Sequence, residues 1–181
     1  VVHLKCSMVN KMPGYQVDKY ANLRLGYTYM FGHSGKKLLF MGQDFGQERE
    51  WSEARELDWF LLENPLNRGM QAYVGELLKL YHKYSCLYEL DKGWQGFEWL
   101  NADDKDRSVY SFFRKNSTGK NNLMFVLNMT PVARENYVIG VPQKKKYKLV
   151  LNSDDTCFGG NGNEIPAEIM AKDGQCNYRD Y

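Results

Sequence analysis

The ten residues from Gly42 to Trp51, Gly-Gln-Asp-Phe-Gly-Gln-Glu-Arg-Glu-Trp, gather three carboxylates, two amides, a guanidinium and an indole. Asp44, Glu48 and Glu50 could accept hydrogen bonds from sugar hydroxyls or exchange protons. Gln43 and Gln47 can donate and accept, and Trp51 offers a flat apolar face for a ring to stack on. The same residues also suit a capped, salt-bridged surface loop. Arg49 and Arg55 would then pair the carboxylates, and Trp51 and Trp59 would bury. Residue types alone leave both readings open.

Position is what could make such a cluster work. Residues 37–41 (Lys-Leu-Leu-Phe-Met) form a short apolar run without in–out alternation. That pattern predicts a strand buried on both faces, as in a parallel sheet covered by helices. In such folds function sits in the loops at the carboxyl ends of strands, and Gly42 begins such a loop. Helices are predicted on either side. Tyr20, Leu23, Tyr27, Met30 and Phe31 recur at helical spacing within 17–33, and Ser34-Gly35 supplies a stop. Asn64-Pro65 reads as a cap followed by proline at the first helical position, opening a helix over 65–84. Helix, buried strand, helix is the rhythm of an α/β barrel or an open α/β sheet.

The period changes near residue 90. Val109-Ser111-Phe113, Leu123-Phe125-Leu127, Tyr137-Ile139-Val141 and Tyr147-Leu149-Leu151 each place residues two apart, with polar turns between them. This predicts an antiparallel sheet domain over about 95–152, with the apolar members facing inward, and a loop over 158–173. The organisation is therefore α/β followed by all-β, residues 1–88 and then 89–181.

Composition narrows the class. With 181 residues, 43% hydrophobic and 25% charged, the chain reads as globular. A formal net charge of +2 argues for neither nucleic acid nor an anionic membrane as partner. No apolar run approaches a membrane span and no secretory leader is evident, so a cytoplasmic setting is expected. Cys6, Cys86, Cys157 and Cys176 are too widely spaced for a zinc site and are expected to be buried free thiols. Tyr15, His33, His82 and Trp94 read as packing or surface residues.

Several ordered blocks carry a closer resemblance: VVHLKCSMVNKMPG, YANLRLGYTYM, GKKLLFMGQDFGQEREW, LDWFLLENPLNRGMQ, FEWLNADDKDRSVYSFFRK, NMTPVARENYVIGVP and LNSDDTCFGGNG. Together they resemble the 1,4-α-glucan branching enzymes of the α-amylase superfamily, almost end to end. The resemblance implies that residues 1–88 are the last βα units of a catalytic (β/α)8 barrel. It implies that 89–181 belong to the carboxy-terminal antiparallel β-sandwich, with both domains incomplete here. The implied chemistry is retaining transglycosylation on glycogen or amylose, forming α-1,6 branches without organic cofactor or metal. Such chemistry needs a nucleophile and an acid/base carboxylate about 5 Å apart. The resemblance puts these, and a third, stabilising carboxylate, upstream of Val1. The chain alone is then expected to be inactive, and a non-catalytic glucan-binding or structural module is the alternative.

The residues implied to line or support the cleft are His3, Lys5, Gln43, Asp44, Gln47, Glu50 and Trp51. Two departures stand out. Gly42-Gln43-Asp44 stands where the family often has Gly-Gly-Glu or Gly-Asn-Glu, and Leu4 and Cys6 occupy positions that are frequently glycine. The implied partners are the glucan and the rest of the barrel. Without the latter, the strand at 37–41 is expected to drive self-association.

Overall fold

Helices α2 (Gln16–Gly32) and α3 (Pro65–Lys83) form within a residue of the ranges their periodicity predicts. A computed structural model describes residues 4–181 of the chain. Asn64 caps α3 as expected, its Oδ1 accepting from the Leu66 amide at 2.9 Å, with Pro65 as the first helical residue. A short helix α1 (Met8–Lys11) precedes them, its Ser7 hydroxyl accepting from the Asn10 amide at 3.3 Å.

Two compact units emerge. The first comprises the described residues up to Phe31, together with Lys36–Lys83 and Ser153–Asn163. Its core is built from one face of α2 (Tyr20, Leu23, Tyr27, Phe31), one face of α3 (Met70, Tyr73, Val74, Leu77), and Phe45 and Phe158 from turns. Arg24 lies in the same face of α2, only 2% exposed. Its Nε and Nη1 donate to the carbonyls of Ser153 (2.7 Å) and Phe158 (2.9 Å), and its Nη2 reaches Gly159 at 3.3 Å. Burial pushes the guanidinium below its ordinary pKa, while nearby Tyr73 and Asp154 favour its charge. On α3, Gly69 lets the same segment approach. A Cβ there would meet the Phe158 carbonyl at 2.7 Å.

The predicted strand at 37–41 does not form. A strand needs a hydrogen-bonded neighbour, and none of the described strands pairs with this run. The Phe40 amide donates instead to Gln43 Oε1 (3.1 Å), and its carbonyl accepts from the Gln43 amide (3.2 Å). Leu38 is 60% exposed. Apolar content was read as burial here, but burial depends on what the rest of the fold supplies.

The second unit takes 32–35, 84–152 and 164–181. Strands β1 (Phe97–Asn101), β2 (Val109–Arg114) and β3 (Leu123–Asn128) form an antiparallel meander, β1 lying within the predicted range but not foreseen as a strand. Phe113 pairs with Met124 and Phe112 with Phe125. Of the residues predicted to face inward, Val109, Phe113, Leu123 and Leu127 are buried. Val109 and Phe113 lie on one face, and Leu123, Phe125 and Leu127 on the other, because directly opposed residues share a face. The central strand β2 is buried on both. Phe112 is flanked by Phe97 and Phe125 in stacked contact at 5.0 and 4.9 Å, with Trp99 edge-on at 5.6 Å. Arg114, fully buried, donates to the carbonyls of Gly96 (3.0 Å) and Gly32 (2.6 Å) and to Asp91 (2.5 Å).

A second, two-stranded sheet pairs β4 (Lys146–Lys148) with β5 (Glu168–Met170). So β4 is shorter than predicted, Leu149 is exposed, and the 158–173 segment is not wholly loop. Residues 137–141 make no strand. Their amides go elsewhere, Gly140 to Asn177 Oδ1 (3.0 Å) and Val141 to the Tyr181 carbonyl (2.8 Å). All four cysteines are free, yet only Cys86 is buried, where desolvation pushes its thiol up to about 11. Cys6 and Cys157 are exposed, against expectation. Tyr15, His82 and Trp94 are exposed, and the His33 ring packs on Phe97 at 4.9 Å. Among the described residues no helix is long and apolar enough to cross a membrane.

Two tests follow from these contacts. Arg24→Met should destabilise the chain by about 3–5 kcal/mol, since it strands buried carbonyls as well as removing packing. Urea unfolding would measure the loss, and limited proteolysis should first cut within 153–163. Glu98 gives a pH test. Burial opposes its charge, but hydrogen bonds from Lys115 (3.0 Å) and Arg179 outweigh that and hold its carboxyl below the ordinary range. A depressed pKa contributes stability above the unfolded value and loses it as pH falls through the folded one. Glu98→Gln should therefore lower Tm at pH 7, with the gap to the parent chain closing in calorimetry as the pH falls below the ordinary glutamate range.

Candidate functional site

The loop after residue 41 is built on glycine. Gly42 (φ 81°) and Gly46 (φ 70°) bracket a 3-10 turn, Gln43–Phe45, that drives Phe45 into the core. A Cβ on Gly42 would meet the Gln47 side chain at 2.9 Å, and one on Gly46 would meet the Tyr20 ring at 2.9 Å. The turn's carbonyls are claimed by side chains from both helices. Tyr27 donates its hydroxyl to Gln43 O (2.8 Å), and buried Asn67 donates to Phe45 O (2.8 Å) and Gly46 O (3.2 Å). Burial, and then the charge of Asp44, push the Tyr27 phenol up, so it stays a neutral donor.

Beyond the turn the chain is held by its own polar groups. Gln47 is buried, its Oε1 accepting from the Asp58 amide (3.0 Å) and its Nε2 donating to Arg49 O (3.3 Å). Arg49 clasps buried Asp58 with two nitrogens, Nε at 2.7 Å, and this hydrogen bonding holds the Asp58 carboxyl below its ordinary range. The Glu50 carboxylate accepts from the backbone amides of Lys5 (3.2 Å) and Cys6 (3.3 Å). Asn10 Nδ2 donates to Glu48 O at 2.7 Å, joining the same two segments again. Trp51 meets Phe40 edge-on at 5.3 Å.

These segments enclose a cleft of about 240 Å³. Cys6, Ser7 and Val9 line it together with Phe40, Gln47 and Trp51. It is smaller than the roughly 300–1,000 Å³ usual for a ligand pocket.

The sequence-predicted residues divide accordingly. Gln43, Gln47 and Trp51 all line the cleft. Glu50 supports it through residues 5 and 6, Lys5 contributes its amide while its side chain is exposed, and half-buried Asp44 sits on the turn outside the lining. His3 lies outside the described residues. Arg49 forms a salt bridge within the loop, though with Asp58 rather than with Asp44 or Glu50, and Trp51 lines the cleft. Sequence reasoning missed Asn10, Asp58 and Cys6. Only the positive-φ turn around Leu4 (58°) and Cys6 (65°) had left a trace, as positions where glycine was expected.

Comparison with known proteins covers the whole chain. Residues 99–181 match the family described as alpha amylase, C-terminal all-beta domain. The 1,4-alpha-glucan branching enzyme GlgB of Butyrivibrio fibrisolvens is 68% identical over all 181 residues, which are 28% of that enzyme. The enzymes of the same name from Geobacillus stearothermophilus and Halothermothrix orenii are 44% and 45% identical over the same 181 residues, 28% and 29% of their lengths. The chain thus spans little more than a quarter of the relatives it matches. Its whole length is similar to one stretch of the 1,4-alpha-glucan branching enzymes, and its residues 99–181 are an alpha-amylase-type C-terminal all-β domain with antiparallel sheets.

Proposed function

We propose that this chain forms one wall of the α-glucan cleft of a branching enzyme. That enzyme cleaves an α-1,4 link with retention and passes the released segment to a 6-hydroxyl, creating an α-1,6 branch. The observation that carries this is identity of 68% to a branching enzyme without a gap in coverage, from the first residue to the last. In this reading residues 1–88 are the end of the catalytic (β/α)8 barrel and 89–181 its carboxy-terminal β domain.

Roles follow from the geometry. Trp51 presents its ring to the cleft, where it would stack on a glucosyl unit. Both ends of the Gln47 amide are engaged within the loop, so it shapes the wall rather than reading the sugar. Gln43 Oε1 is engaged by the Phe40 amide, leaving its amino group as the end available to a hydroxyl. Asp44 at the turn and Lys5 ahead of α1 would border the same wall. Among the described residues, no Asp or Glu lines the cleft. The paired carboxylates of retaining chemistry then come from the rest of the barrel, and Leu38 to Met41 is the edge that would receive it.

The 181-residue chain alone should leave the absorbance maximum of iodine-stained amylose unchanged; a reproducible shift would sink this assignment of roles. In a hybrid where these residues replace the matching 28% of the Butyrivibrio fibrisolvens enzyme, branching should persist. Trp51→Ala in that hybrid should raise KM for amylose by about tenfold, the loss of roughly one stacking contact. For the isolated chain, light scattering should report self-association, and Leu38→Lys should reduce it.

A further inference from the structure

Leu4 and Cys6 both adopt left-handed backbone, φ 58° and 65°, although neither is glycine. Such backbone persists only where surrounding structure over-determines it. Core packing does not hold it here, since Leu4 is 84% exposed and Cys6 is exposed too. What the conformation achieves is convergence of two successive amides, Lys5 N and Cys6 N, on a single carboxylate, with Glu50 Oε1 at 3.2 Å and Oε2 at 3.3 Å. Successive backbone N–H groups in a turn of this kind make an anion-binding concavity. Here the chain fills it with its own anion, from a residue 45 positions away.

The clasp lies at the cleft. Cys6, which carries the second of the paired amides, and Ser7 after it line the cleft, and so does Trp51, the residue after Glu50. Asn10 to Glu48 O (2.7 Å) is a second tie between the same two segments. We infer that Glu50 is a positioning residue: by seating residues 4–6 it sets the distance between that lip and Trp51, and thereby the orientation of a glucan segment in the cleft. The inference rests on the function proposed above, but its first test does not.

In the 181-residue chain, amide exchange at Lys5 and Cys6 should accelerate about tenfold in Glu50→Ala, and less in Glu50→Gln, while amides of α3 such as Tyr73 and Leu77 are unmoved. Unchanged exchange at residues 5 and 6 would remove the clasp outright. In the hybrid enzyme, Glu50→Ala should lower kcat/KM for amylose by about 10–100-fold, as expected for a misplacement near 1 Å, with Tm held. Glu50→Asp should recover part of that loss. A Glu50→Ala hybrid with parental kcat and KM per folded molecule would leave Glu50 a structural tie only and overturn the positioning role. A hybrid that does not branch with Glu50 intact would count against the proposed function, and the exchange experiment would still decide the clasp.

Discussion

Every buried backbone carbonyl needs a donor, and in this chain several turns obtain one from a buried side chain rather than from a sheet ladder. Arg24 supplies the segment around Phe158, Asn67 the turn ending at Gly46, and Arg114 the carbonyls of Gly96 and Gly32. A guanidinium keeps its charge at any working pH, so placing it in a core is favourable only where several acceptors surround it. Each of these side chains thereby helps to fix the position of irregular backbone. The cleft stands on one of these supports. Asn67 and Tyr27 seat the 3-10 turn, the turn places Gln47, and Gln47 holds Asp58 by its amide while Arg49 donates to that residue's carboxylate.

Much of the helical structure was legible because it is local. Asn64-Pro65 and the spacing of Met70, Tyr73, Val74 and Leu77 carry α3 in sequence as they do in space. Sheet structure was legible only where polar turns isolate each strand. The run at 37–41 was misread because an apolar stretch says nothing about whether a partner is beside it. Periodicity found the buried residues of β2 and β3, but register alone decides which of them share a face. β5 was invisible: Glu168–Met170 is three residues long and earns its strand by pairing with Lys146–Lys148.

The cleft was half legible. Trp51, Gln43 and Gln47 were found by residue type after a glycine, and the structure brings them together. The lip contributed by Cys6 and Ser7 was not, since nothing in those side chains suggests a binding surface. Their role comes from backbone conformation, and the sequence hinted at it only through positions where glycine would have been easier. Asp58 was missed for another reason. Its partner Arg49 had nearer carboxylates in sequence, and the choice among them is made by the buried amide of Gln47.

The interleaving of segments has a temporal consequence. The first unit recruits Ser153–Asn163, yet residues 84–152 of the other unit are made in between. During synthesis Arg24 must wait for acceptors 129 or more positions downstream, and the groove beside Gly69 stays open meanwhile. Closing so long a loop costs little more entropy than closing a shorter one, but it cannot happen early. The sheet around Phe112 can assemble while the helical unit is still unfinished. The segment 153–163, made shortly before β5, is then what completes the packing around Arg24 of α2, so the helical unit is finished only after most of the sheet unit has been made.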